Sequence, residues 1–181
     1  MAGTDNTMDI LNLQFTGSET EKQYIIFSVG DEEFGVDVLR VQEIIRYAEP
    51  TKIPHAPDFV EGVINFRGAI IPVLNLRTRF ALQKAADNVF TVIIVVEING
   101  KTFGLTVDQV SDILSIPDDK IQPASEFSAR AGTEYLKAMG KMGNRLVLIL
   151  DLDKIISLNW QKKLEEIIEA SAPPVPGNNG N

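Results

Sequence analysis

Residues 31–45 read DEEFGVDVLRVQEII. Phe34, Val36 and Val38 alternate with Gly35 and Asp37, the period of two expected of a half-buried strand. Leu39 and Arg40 break that alternation, and Val41, Gln42, Glu43, Ile44 and Ile45 begin a second apolar run, so the stretch reads strand, tight turn, strand. Residues 101–114, KTFGLTVDQVSDIL, say the same thing again. Phe34 matches Phe103, Gly35 matches Gly104, Val36 matches Leu105, Val38 matches Val107 and Val41 matches Val110. Glu43 then matches Asp112, Ile44 matches Ile113 and Ile45 matches Leu114. The offset is 103 − 34 = 69 throughout, with no gap. A fixed offset with matched chemistry is an internal repeat.

A second echo lies further out. Residues 135–152, YLKAMGKMGNRLVLILDL, follow residues 59–76, FVEGVINFRGAIIPVLNL, at an offset of 152 − 76 = 76. In the earlier copy the segment from Val63 reads as a β-hairpin with Arg67 and Gly68 at its tip, where Gly68 is free to take positive φ. Gly143 and Asn144 are the matching tip. Pro72 lacks an N–H, which places its strand at an edge or a bulge. Residues 24–29 (YIIFSV) and 89–98 read as central strands, apolar on both faces. Residues 47–57, with three prolines, read as loop. Helical turns are expected at 58–61, capped by Asp58, at 75–80 and at 134–138, and a longer helix within 153–170 with Ile156, Trp160, Leu164 and Ile167/Ile168 on one stripe. Short strands at this spacing indicate an all-β protein of small barrels, not a doubly wound sheet.

The 181 residues suffice for one domain or two small lobes sharing a core, and 44% apolar with 23% charged is ordinary for a globular protein. No apolar run approaches the roughly 18 residues of a membrane helix. The first residues carry no basic group ahead of an apolar one, so no secretory signal is expected. The absence of cysteine excludes disulfides, thiolate-bound zinc and a thiol nucleophile. A net charge of −8 disfavours nucleic acid and anionic lipid.

Catalytic patterns are missing. The single histidine, His55, sits among prolines with nothing near in sequence to orient it as a base. Asp151 and Asp153 could share a strand face and hold a cation, but capping the following helix is the simpler use of Asp153. Asp31, Glu32 and Glu33 read as a solvated turn, and Asp108 and Asp112 as surface acids. No phosphate loop, dinucleotide fingerprint, nucleophile elbow or zinc-protease motif occurs. The side chains that folding leaves underused are Glu43, Asn65 and Arg67. They read either as exposed strand and turn positions or as an acid–arginine pairing beside an apolar groove. A metal-dependent enzyme and an oligonucleotide-binding barrel are the rival classes, the latter opposed by 17 Lys and Arg against 25 Asp and Glu.

VDVLRVQEII, GVINFRGAIIPVLNLRTRF, FGLTVDQVSDIL and LILDLDKI resemble the chemotaxis coupling family CheW, over residues 23–157. Phe66 stands where that family usually has leucine, and the Trp160 helix has no clear counterpart. The same fold occurs in the regulatory domain of the kinase CheA and in CheV adaptors. This chain leaves no room for a phosphotransfer, ATP-binding or receiver domain, so the free adaptor is expected. The resemblance implies two packed five-stranded SH3-like barrels with short helical turns and a C-terminal helix. It divides the chain into a tail at 1–21, a CheW-like domain at 22–157, a helix at 158–170 and a second tail at 171–181. It implies no catalysis, cofactor or metal, no nucleic acid and no membrane insertion. The implied partners are the cytoplasmic hairpin tip of a chemotaxis receptor and the CheA regulatory domain, with self-association in receptor arrays. The implied location is the cytoplasm, at receptor clusters on the inner membrane. Carried over residue by residue, the receptor groove involves Val41, Glu43, Arg67 and Ile113, with Asn65 and Gly68 shaping the hairpin beside it. The kinase-contact residues stay unassigned.

Overall fold

The structure, a computed structural model, describes residues 21–83, 85–124 and 134–171. The expected tails lie outside these residues, save Glu21, which opens the first strand, and Ser171, which ends the last helix. The strands are β1 (Glu21–Val29), β2 (Glu32–Asp37), β3 (Val41–Arg46), β4 (Val60–Phe66), β5 (Ala69–Asn75) and β6 (Val92–Ile98). They continue as β7 (Lys101–Val107), β8 (Gln109–Pro117), β9 (Ile121–Pro123), β10 (Leu136–Met142) and β11 (Arg145–Leu150). Two α-helices, α1 (Leu76–Arg79) and α2 (Leu158–Ser171), accompany them.

The strands form two sheets that make up the two SH3-like barrels. Lobe 1 has the order β8-β1-β2-β11-β10-β9 and lobe 2 the order β3-β6-β7-β5-β4. Lobe 1 counts a sixth, three-residue strand, β9; in lobe 2 a single bridge, Thr51 to Val63, does a similar job on β4.

Both echoes meet in one place. Gly35 on β2 pairs with Ile26 on β1 and, in parallel, with Ile149 on β11. Gly104 on β7 pairs with Val95 on β6 and, in parallel, with Val73 on β5. Gly35 to Gly104 and Ile26 to Val95 are steps of 69, and Val73 to Ile149 is a step of 76 (149 − 73). The two lobes are therefore copies.

The copies do not correspond to the halves of the chain. β3 follows β2 directly yet joins lobe 2, and β8 follows β7 yet joins lobe 1. Each half of the chain lends an edge strand to the other barrel.

Alternation along the strands now has two destinations. Ile25, Phe27 and Val29 on β1 enter the core between the lobes, as do Ile94, Val96 and Ile98 at the matching places on β6. Tyr24 and Ile26 fill barrel 1, and Ile93 and Val95 fill barrel 2. That is why these two strands are apolar on both faces. The inter-lobe core also takes Phe34, Val36 and Val38 from one lobe and Phe103, Leu105 and Val107 from the other.

Several local expectations need correction. Residues 58–61 form no helical turn; Asp58 and Phe59 make a turn and Val60 starts β4. Residues 134–138 are not helical either, for β10 begins at Leu136 between β11 and β9. Its Leu, Lys, Ala and Met favour helix, but hydrogen bonding on both sides outweighs preferences worth tenths of a kcal/mol per residue, ~0–0.7. The strand expected from Val89 begins at Val92, and Val89 is 84% exposed. β5 is interior, yet Pro72 is accommodated. Its partner across β4, Val63, spends its N–H and C=O on Thr51, so that pair exchanges no hydrogen bonds. On its other side the ladder to β7 starts only at Val73. Asp153 does not cap α2; the Ser157 hydroxyl does, accepting the Trp160 N–H at 3.2 Å. Helix α2 docks Leu164, fully buried, and half-buried Trp160 onto the inter-lobe core, and a Lys101–Glu165 ion pair at 2.6 Å tethers it.

Candidate docking groove

The β4–β5 hairpin turns at Arg67 (φ 53°) and Gly68 (φ 86°), positive φ at both positions, the geometry that matches strand twist in a two-residue hairpin. The Asn65 carboxamide oxygen accepts the Gly68 N–H at 3.0 Å and holds the turn shut. Arg67 is thereby raised off the barrel end. Its guanidinium lies 5.1 Å from the ring centroid of Phe66, whose own side chain fills barrel 2.

Glu43 comes from the other edge of the same sheet. A register shift between Val41 and Glu43 leaves Glu43 opposite Val95 on β6. There its carboxylate accepts a hydrogen bond from Arg67 and pairs with it. The Glu43 side chain is 18% exposed and that of Arg67 65% exposed. Closing the barrel is what brings the two edge strands of lobe 2 together.

Val41 and Ile113 are not joined to this pair by any hydrogen bond or ion pair. Val41 lies on β3 and Ile113 on β8, the edge strands of different sheets. Both are half-buried and pack against the inter-lobe core, as do Ile44 and Val110. Of the six expected residues, four (Glu43, Arg67, Asn65 and Gly68) belong to one bonded unit at the end of barrel 2, and the other two, Val41 and Ile113, pack against the inter-lobe core.

Three acids read as solvated turn out to be bonded. Asp112 and Glu33 share Arg145, which donates to Asp112 at 3.0 and 3.2 Å and to Glu33 at 3.1 and 3.1 Å. These bonds, Asp112 first, hold the Arg145 proton more firmly than usual. Asp108 accepts from Arg77 at 2.8 and 2.7 Å and from the Gly30 N–H at 2.8 Å. Asp153 plays the matching part at the other crossover, accepting from Arg40 at 2.6 Å and the Asn99 N–H at 3.0 Å. Gly30 and Asn99 are themselves 69 apart (99 − 30). Burial alone would raise the Asp153 carboxyl; the bonds from Arg40 and Asn99 overcome that and set it below its usual value. The sequence held a signal for Asp112, through its match to Glu43, and none for Arg145.

Among the described residues no group of three or more His, Cys, Asp or Glu could hold a metal ion. His55 is exposed in its loop. No helix among them is long and apolar enough to cross a membrane.

A family model for the CheW-like domain matches residues 23–159. The chain is 40% identical over 144 residues to the chemotaxis protein CheW of Klebsiella aerogenes, covering 80% of this chain and 87% of that one. It is 36% identical over 134 residues to CheW of Rhizobium meliloti, covering 74% and 86%. The crystal structure of the scaffolding protein TtCheW from Thermoanaerobacter tengcongensis superposes with a TM-score of 0.71 at 34% identity, covering 77% of this chain and 95% of that chain.

Proposed function

The chain belongs to the CheW-like domain family of chemotaxis coupling proteins, and from that premise we propose that it ties receptor hairpin tips to the CheA kinase and so sets kinase activity. The relatives are named for chemotaxis and scaffolding, and the chain is an adaptor, not an enzyme. The observation that supports the receptor contact is the Glu43–Arg67 pair. Two residues 24 apart in sequence, from opposite edges of one barrel, meet as an ion pair, and Val41 and Ile113, half-buried against the inter-lobe core, supply the apolar part of the proposed groove. The groove between the lobes takes one helix of the receptor hairpin, with Asn65 and Gly68 fixing the hairpin that carries Arg67. The kinase regulatory domain, built on the same barrels, binds end to end with a barrel of this chain. The protein works at receptor clusters on the cytoplasmic side of the inner membrane.

The test is binding of a receptor hairpin fragment by calorimetry. Glu43→Ala and Arg67→Ala each lose binding, since a charge left unpaired at a partly desolvated interface costs about 2–5 kcal/mol. Both keep a near-normal melting temperature, because an exposed pair adds only ~0–1 kcal/mol to folding. The swap Glu43→Arg with Arg67→Glu recovers part of the binding. Normal binding by both single variants would remove the pair from the site.

A further inference from the structure

The tip of the β4–β5 hairpin joins a fixed backbone to a long side chain. Positive φ at Arg67 and Gly68, and the bond from the Gly68 N–H to Asn65, set the turn. The Arg67 side chain, 65% exposed, donates from Nη2 to Glu43 Oε1, its single side-chain hydrogen bond among the described residues. One bond leaves a planar guanidinium free to pivot about it. The Phe66 ring supplies a second constraint. Phe66 is 8% exposed and packs with Ile71, Val73, Ile93 and Val95 inside barrel 2. The Arg67 Cζ lies 5.1 Å from the centroid of that ring. A ring face attracts a cation within roughly 6 Å. The barrel's packing locks the ring, so a fixed surface meets a group with rotamer freedom.

The other lobe gives the contrast. Arg145 makes four hydrogen bonds to two carboxylates, which fix its plane without a ring. The residue there that matches Phe66 is Met142 (142 − 66 = 76), which packs on barrel 1, and the match of Arg67 is Gly143. The aromatic therefore stands in the lobe whose hairpin tip carries the arginine.

We propose that Phe66 is a positioning residue for Arg67. Its ring fixes the plane of the guanidinium at the end of barrel 2 and so presents the donors not engaged by Glu43 to a carboxylate or carbonyl oxygen of the docked receptor. The inference rests on the receptor reading above and gives Phe66 itself no contact with the receptor. An arginine ordered before binding loses less side-chain freedom when the partner arrives. Glu43 supplies the opposite charge, and Phe66 supplies the orientation.

The test compares Phe66→Leu and Phe66→Met, which keep an apolar side chain in barrel 2 and remove the ring face. Ile71→Val serves as the control, since it trims the same packed interior and leaves the ring in place. Two quantities are read on each folded chain. Nitrogen relaxation of the Arg67 Nε–H, assigned by its loss in Arg67→Lys, reports the motion of the free side chain. Calorimetry reports binding of the receptor hairpin fragment. In both Phe66 variants the Nε–H order parameter falls from its parent value into the flexible range, below about 0.6. Affinity for the fragment weakens about two- to five-fold, the scale of one exposed cation–ring contact. Ile71→Val changes neither. Should one Phe66 variant fail to fold, the other carries the comparison. An Nε–H as ordered in the variants as in the parent overturns the proposal. A freed side chain at undiminished affinity also overturns it, and so does an equal loss of affinity in Ile71→Val. Each of these leaves the receptor reading intact. Failure of the unaltered chain to bind the fragment overturns the receptor reading, and the relaxation data then decide by themselves whether Phe66 holds Arg67.

Discussion

At the scale of single residues, charge does two different jobs in this protein. In Glu43–Arg67 a largely exposed guanidinium meets a carboxylate only 18% exposed, so water screens the pair from the arginine side and folding gains little from it. Arg40–Asp153 and Arg77–Asp108 sit where the chain crosses between lobes, and each carboxylate also accepts a turn N–H. For Asp153 the direction of pH dependence follows. Its carboxyl lies below the usual value when folded, so the unfolded chain takes up a proton first as pH falls. Its stabilisation is present above the ordinary aspartate range, about pH 4, and is lost as pH drops through the lower folded value. Asp153→Asn should lower the melting temperature at neutral pH and narrow its gap from the parent in acid. A gap that stays constant from neutral pH to acid would show that the carboxylate's charge plays no part. The Asp112–Glu33–Arg145 unit shows the limit of local reading. The acids were visible as acids, but a partner 112 residues from Glu33 leaves no mark in the sequence around it.

At the scale of elements, the repeated Phe-Gly strands are the most constrained parts of the chain. A Cβ built on Gly104 would lie 2.7 Å from Ile93 Cγ2, and one on Gly35 would lie 3.1 Å from Val147 Cγ1. Both glycines let two strands close over a barrel interior. Gly104→Ala should therefore destabilise the protein by about 1–3 kcal/mol, the usual cost of overpacking, and Gly35→Ala by less. Denaturant melts decide it, and a Gly104→Ala variant as stable as the parent would mean that β6 yields freely there. Val107 is 1% exposed in the inter-lobe core. Val107→Asp places an unpaired carboxylate there at a cost of several kcal/mol, comparable to a domain's whole stability, and should abolish the far-UV signal of the fold. β10 is the element that composition hid. Its helix-forming residues became a strand because β11 and β9 satisfy its backbone on both sides.

At the scale of the whole molecule, the exchange of β3 and β8 makes the two lobes inseparable. Neither half of the chain can complete a barrel without an edge strand from the other. The inter-lobe core draws buried residues from both. Unfolding should be a single transition, seen together by far-UV signal and by the one tryptophan, Trp160, which reports on α2. Two separated transitions would mean that the barrels fold independently. The sequence by itself determined the strands with strict alternation, the two offsets and the hairpin tip, and offered the pairing of Glu43 with Arg67 as one of two readings of those residues. These follow from side-chain period and turn chemistry, which act over a few residues and repeat when the sequence repeats. Only the tertiary structure decided which sheet each strand joins, that Leu136–Met142 is extended, and that Arg145 holds two acids. Backbone hydrogen-bonding groups are alike at every residue, so a strand's neighbour is chosen by how the crossovers place it in space, and ion pairs then form between whatever side chains that placement brings together.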